Sequence, residues 1–184
     1  MSAVELRFLN TAIAAVLILS SIAYADTDKE NASSSLPTTD RVFLLININS
    51  GRCLAVSERS KDAGANVAQG VKPETASNAE QWKLIKTGDY FRIMNQNSGK
   101  MLSVPKGSKR KGTQIIQWES LDSADQQWQF VKVGNHYSVL SRVSGLVLGV
   151  AEASKDDGTV VVQWNMEKIP DQLWFLRQLP LERK

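Results

Sequence analysis

A chain of 184 residues, 42 % of them hydrophobic, can bury one proper core and is too short for two comfortable ones. Its formal charge of +3 is too small for a general nucleic-acid binder, so no nucleic-acid partner is expected. A single cysteine, Cys53, allows no internal disulfide, and a single histidine, His136, belongs to no cluster at metal-ligand spacing; the domain must be held by its core, and no cofactor is expected.

The first element in the chain reads as a secretory signal over residues 1–25. Arg7 stands near the start, the apolar run "TAIAAVLILSSIA" fills 11–23, and Ala23-Tyr24-Ala25 offers a small-x-small cleavage site before Asp26. The run is too short to span a bilayer comfortably, and charged, Ser-rich sequence follows at once, so cleavage near Ala25 is expected over an uncleaved anchor. The signal holds one acid, Glu5, and one base, Arg7, which leaves +3 on the mature side chains. The expected product is secreted, or periplasmic in a bacterium. Residues 26–40 lack the apolar content to pack and read as a flexible leader; Asn31-Ala32-Ser33 is a sequon with meaning only in a glycosylating host.

From Arg41 the chain repeats itself. Trp82, Trp128 and Trp174 stand 46 residues apart. Upstream of each, "NSGRCLAV", "NSGKMLSV" and "VSGLVLGV" share Ser-Gly-x-x-Leu-x-Val, and a second glycine follows each first one by 13 places: Gly64, Gly112 and Gly158. The runs "YFRIMN", "KMLSVP", "TQIIQW" and "QWQFVKV" in the second copy predict four short strands per repeat. The Ser-Gly pairs suit a tight turn between the first two strands, while Leu54, Leu102 and Leu148, with Val56, Val104 and Val150, fall on one strand face and predict a shared core. Twelve such strands, none able to bury its apolar face alone, favour a closed threefold barrel over an open array.

Gln126-x-Trp128 and Gln172-x-Trp174, with Glu80-x-Trp82 in the first copy, resemble the repeat signature of the ricin B-chain type β-trefoil lectins, over roughly residues 41–180. The resemblance implies an all-β fold, a β-trefoil of three repeats of about 46 residues with four strands each. It also implies that the tryptophan of each Gln-x-Trp fills the core, and that the glutamine supports the wall of a shallow sugar site. Such a site needs an aromatic face for the C–H side of a pyranose, with a carboxylate and amides for its hydroxyls. The aromatic is expected at the end of the third strand, where Trp118 and Trp164 stand and the first copy has Gly70. The family's carboxylate position on the second strand holds Ala55, Ser103 and Gly149 instead, and a glutamine two places before the aromatic is replaced by Ile116 and Val162.

Three residues before the core tryptophan stand Asp125 and Asp171, with Ala79 in the first copy, so the two copies that keep the aromatic also have an acid there. Either the acids are relocated hydroxyl acceptors or they merely cap the turn before the last strand. The expected carbohydrate-binding residues are therefore Ser103, Trp118, Asp125 and Gln126 in the second copy, with Trp164, Asp171 and Gln172 in the third.

The loop "PKGSKRKG" carries Lys106, Lys109, Arg110 and Lys111 without an acid; it reads as a solvated hairpin, or as a contact for an anionic surface. Cys53 aligns with Met101 and Val147 and reads as a buried, inert thiol. His136 has no Ser, Cys or acid placed to make it a base, so no enzyme is expected. The expectation is a secreted, monomeric, non-catalytic lectin domain that binds glycans or polysaccharide. Its rival is a sugar-dead trefoil that serves as a protein-interaction or anionic-surface scaffold.

Overall fold

The computed structural model describes residues 37–180; the expected signal, its cleavage site and the leader through Leu36 lie outside the described residues. Each repeat forms four strands. Unit 1 has β1 (Arg41–Asn47), β2 (Leu54–Val56), β3 (Val67–Gln69) and β4 (Gln81–Thr87). Unit 2 has β5 (Tyr90–Asn95), β6 (Met101–Ser103), β7 (Ile116–Trp118) and β8 (Trp128–Val133). Unit 3 has β9 (His136–Ser141), β10 (Val147–Val150), β11 (Val161–Trp164) and β12 (Trp174–Gln178).

The first and last strand of every unit close a six-membered antiparallel ring, β1-β4-β5-β8-β9-β12 and back to β1. Closure leaves none of these strands with a free edge. The two middle strands of each unit form the hairpins β2–β3, β6–β7 and β10–β11, which meet through single bridges: Asn66 with Ile116, Gln114 with Val162, and Ala68 with Val160. The residues before β1 are already tied to the ring, since Asp40 N–H donates to Leu84 O at 2.7 Å and the Asp40 carboxylate lies 3.1 Å from Lys83 Nζ.

The turns between first and second strands depend on backbone conformation. Gly51, Gly99 and Gly145 sit at φ of +69°, +72° and +70°, with open space where a Cβ would project, so it is the left-handed backbone that calls for glycine. Their N–H groups return to the carbonyls of Asn47, Asn95 and Ser141 at 2.8, 2.9 and 2.9 Å.

Trp82, Trp128 and Trp174 are all 0 % exposed and, with Leu54, Leu102 and Leu148, form the centre of the core. Each indole N–H donates to the carbonyl of the leucine on the second strand of its own unit, at 2.8, 3.0 and 3.3 Å in units 1, 2 and 3. A buried indole N–H needs such a partner, and these bonds fasten each hairpin to the ring beneath it. A smaller cluster of Leu44, Ile46 and Cys53 lies outside the ring under unit 1. Burial, reinforced by the charge of Glu80, pushes the Cys53 thiol up to about 12, so it stays protonated and unreactive at neutral pH.

Replacement of Trp128 or Trp174 by Ala removes both a large buried ring and the bond to the hairpin. It is expected to lower stability by about 3–5 kcal/mol, measured as a reduced denaturant midpoint.

Candidate functional site

The hairpins β6–β7 and β10–β11 present equivalent outward faces. In unit 2 the antiparallel register sets Trp118 opposite Met101 and Ser103 opposite Ile116; these four share one face, while Leu102 and Gln117 occupy the other. Trp118 is thus the diagonal neighbour of Ser103. In unit 3 Trp164 stands opposite Val147, and Gly149 opposite Val162. Trp118 and Trp164 are 40 % and 42 % exposed, where the core tryptophans of the same repeats are sealed. An exposed indole at the end of a strand is a flat apolar platform with no core role.

Each platform rests on the neighbouring unit. A Cβ on Gly64 of unit 1 would lie 3.3 Å from Trp118 Cζ3, and one on Gly112 of unit 2 would lie 3.5 Å from Trp164 Cζ3. The residue before each platform fixes this contact. Gln117 Nε2 donates to the Ser60 and Asp62 carbonyls at 3.0 and 2.9 Å, and Gln163 Nε2 to those of Ser108 and Arg110 at 2.8 and 2.9 Å. Gln69 does the same for Ser154 and Asp156 at 3.1 and 2.6 Å, which completes a cycle of units 2 to 1, 3 to 2 and 1 to 3. Sequence reading passed over these three glutamines, although each stands five places after the second glycine of its repeat.

The two acids come to the second strand from a short 3-10 turn, Ala124–Gln126 in unit 2 and Pro170–Gln172 in unit 3. Ser103 Oγ donates to Asp125 Oδ2 at 3.0 Å, which aims the carboxylate over the hairpin face that bears Trp118. In unit 3 Gln172 and Asp171 crowd the place of a side chain on residue 149: Gln172 Cγ lies 3.2 Å and Asp171 Oδ2 3.7 Å from the place of a Cβ on Gly149. Both acids therefore occupy the neighbourhood of a second-strand side chain although neither is on that strand. Asn47 Nδ2 holds the Asp171 carbonyl at 2.8 Å, and Val104 N–H holds that of Asp125 at 2.9 Å. Burial pushes the Asp171 carboxyl above its ordinary value; a backbone hydrogen bond opposes this, and the charge of Glu167 adds to it.

Gln126 and Gln172 are buried and clamp the segment that follows each platform. Gln126 Nε2 donates to Glu119 O at 2.7 Å and its Oε1 accepts from Leu121 N–H at 2.8 Å; Gln172 repeats this with Asn165 O at 2.9 Å and Glu167 N–H at 2.8 Å. Only an amide both gives and accepts in this way. Unit 1 has Glu80, whose carboxylate accepts from Ser77 N–H at 2.7 Å and Ser77 Oγ at 2.8 Å. There the pocket is filled: a Cβ on Gly70 would lie 2.8 Å from Ala55 Cβ and 3.4 Å from Glu80 Oε1. Units 2 and 3 thus bring together an aromatic face, a carboxylate and a fixed wall; unit 1 has neither the aromatic nor the clamping amide, and its carboxylate there, Glu80, is buried and bound to Ser77. Among the described residues no group of three His, Cys, Asp or Glu side chains could hold a metal ion.

Trp118→Ala is expected to lose about 1 kcal/mol of stability, far less than Trp128→Ala, as read by parallel denaturant titrations. Gly70→Trp should not restore a third platform. Overpacking against Ala55 and Glu80 is expected to lower stability by about 1–3 kcal/mol.

No curated protein sequence matches the chain. Among solved structures, the designed threefold-symmetric protein ThreeFoil is similar at 32 % identity and a TM-score of 0.72, over 75 % of this chain and 99 % of its own. An exo-β-1,3-galactanase from Clostridium thermocellum is similar at 33 % identity and a TM-score of 0.72 over 80 % of this chain, which spans only 32 % of the galactanase. A ricin B-like lectin from Macrolepiota procera, solved with lactose, shares the fold at 15 % identity and a TM-score of 0.65, over 77 % of this chain and 98 % of its own. The family model for the ricin-type β-trefoil lectin domain-like proteins matches residues 33–118 and 124–181, and the chain belongs to that family.

Proposed function

We propose that this protein is an exported, non-catalytic carbohydrate-binding module with two shallow glycan sites. One is built on Trp118 and Asp125, aimed by Ser103 and walled by Gln126, and the other on Trp164 and Asp171, walled by Gln172. The observation that carries the reading is the pairing of an exposed tryptophan with a half-buried carboxylate on one hairpin face, present twice and lost together in unit 1. The indole would stack on the C–H face of a pyranose, and the carboxylate oxygens would accept from its hydroxyls. Galactose-containing glycans are the first ligands to try, given the likeness to part of a galactanase.

A single shallow site with a Kd of about 1 mM represents only about 4 kcal/mol. Joint engagement of two sites on one glycan raises avidity by roughly 10²–10⁴. Titration of a monosaccharide by NMR, beside binding to a multivalent glycan, separates these terms. Asp125→Ala and Asp171→Ala should each leave one weak site and remove most of the avidity, and the double variant should lose both. Unchanged glycan binding by the double variant would sink the two-site reading.

The raised Asp171 carboxyl adds a pH dependence. Hydroxyl recognition uses the ionised form, so affinity at the unit 3 site should fall on acidification, and at a higher pH than for an unshifted carboxyl. Asp171→Asn should abolish that fall, as measured by titrations of a Trp118→Ala background at several pH values.

A second reading has one observation in its favour. Lys106, Lys109, Arg110 and Lys111 are all exposed, and the ion pairs among the described residues use none of them. Because Gly112 ends this loop against Trp164, the cations border the unit 3 platform, and an anionic surface could engage both. Steep loss of binding with added salt would favour this reading over neutral-sugar recognition.

A further inference from the structure

A cleft of about 430 Å³ lies away from both tryptophan platforms, on the outer side of the barrel where unit 3 meets unit 1. Its floor follows from strand register. Phe175 of β12 pairs with Ile46 of β1, and the register that sets Trp174 opposite Tyr137 brings His136 of β9 beside Phe175. Arg177 lies two places further along β12, on the same face by the period of two. Lys72, Pro73 and Glu74 of unit 1 also line it.

Two departures from threefold symmetry build this cleft, and the core requires neither. Phe175 is 41 % exposed, and the matching residues after the other core tryptophans are Lys83 and Gln129, so an aromatic ring stands at this position in unit 3 alone. The span from Gly70 to Trp82 is two residues longer than those from Trp118 to Trp128 and from Trp164 to Trp174, and it contains a 3-10 turn, Pro73–Thr75, without counterpart in the other units. The unit that lacks a tryptophan platform therefore carries the insertion that walls a different cleft. Lys72 and Arg177 are exposed, and the ion pairs among the described residues use neither of them nor Glu74.

We infer that this cleft binds a carboxylate-bearing pyranose, a hexuronate within an acidic glycan, with its ring on Phe175 and its carboxylate between Arg177 and Lys72. A guanidinium offers two parallel donors to a carboxylate, and an exposed phenyl ring suits the apolar face of a pyranose. Glu74, the single acid on the lining, supplies an acceptor for ring hydroxyls and disfavours a ligand carrying charge at both ends. The site stands independently of the platforms of units 2 and 3.

The test uses the Trp118→Ala/Trp164→Ala variant, which silences those platforms, titrated with glucuronate, glucose, benzoate and acetate. His136 is the sole histidine, so its ring resonances report the cleft without ambiguity. Glucuronate should move them in a saturable way, roughly tenfold more tightly than glucose, which lacks the charge, and than acetate, which lacks the ring. Phe175→Ala and Arg177→Gln, each exposed and checked for unchanged melting, should each weaken glucuronate binding about tenfold or more; Lys72→Gln should weaken it less. No saturable shift with glucuronate, equal binding of glucose or benzoate, or indifference to both Phe175→Ala and Arg177→Gln would overturn the inference. The double tryptophan background keeps this result separate from the fate of the two-site reading.

Discussion

Three buried hydrogen bonds, from the indoles of Trp82, Trp128 and Trp174 to the carbonyls of Leu54, Leu102 and Leu148, underlie the whole architecture. The barrel on its own is a ring of six strands, and the hairpins on their own are ribbons too short to hold together. An indole brought into the core must find an acceptor for its N–H, and the available one is the strand that begins the hairpin. Core packing and hairpin placement are therefore one event. The platforms Trp118 and Trp164 inherit their positions from it, because they lie on the strands paired to those leucines.

A second layer of constraint runs between units. Gln69, Gln117 and Gln163 are buried amides that reach carbonyls of a loop in another repeat, and in units 2 and 3 that loop ends in the glycine on which the platform rests. Each aromatic face is thus half the property of its own repeat and half that of a neighbour. Gln126 and Gln172 then fix the far wall, and Asp125 and Asp171 enter from the short turns between wall and core tryptophan.

Much of this was legible in the sequence because it is written three times. The 46-residue spacing, the Ser-Gly turns and the leucine and valine positions located twelve strands and the core without ambiguity. The distinction between core tryptophans and exposed ones came from the resemblance to the lectin repeats, and the strands agree with it: Trp118 and Trp164 end third strands and Trp128 and Trp174 begin fourth ones. What escaped was non-local. The partners of Gln117 lie 55 and 57 residues away in another repeat, and the reach of Asp125 to Ser103 depends on the path of a 3-10 turn that no periodicity encodes. The closure of unit 1 was legible only as a missing aromatic and a missing acid. Its physical cause, a glutamate that caps with Ser77 where an amide would clamp the loop, required the geometry.

The cycle of glutamine contacts has a direction: each repeat reaches back to the one before it, and the first reaches the third. A closed cycle of this kind has no beginning. The covalent link between one repeat and the next is incidental to it, and the first strand, β1, already pairs with the last, β12. Unit 2 carries both a reaching glutamine and a receiving loop, the first engaged with unit 1 and the second with unit 3. The fold thereby contains the geometry of a cyclic trimer within a single polypeptide.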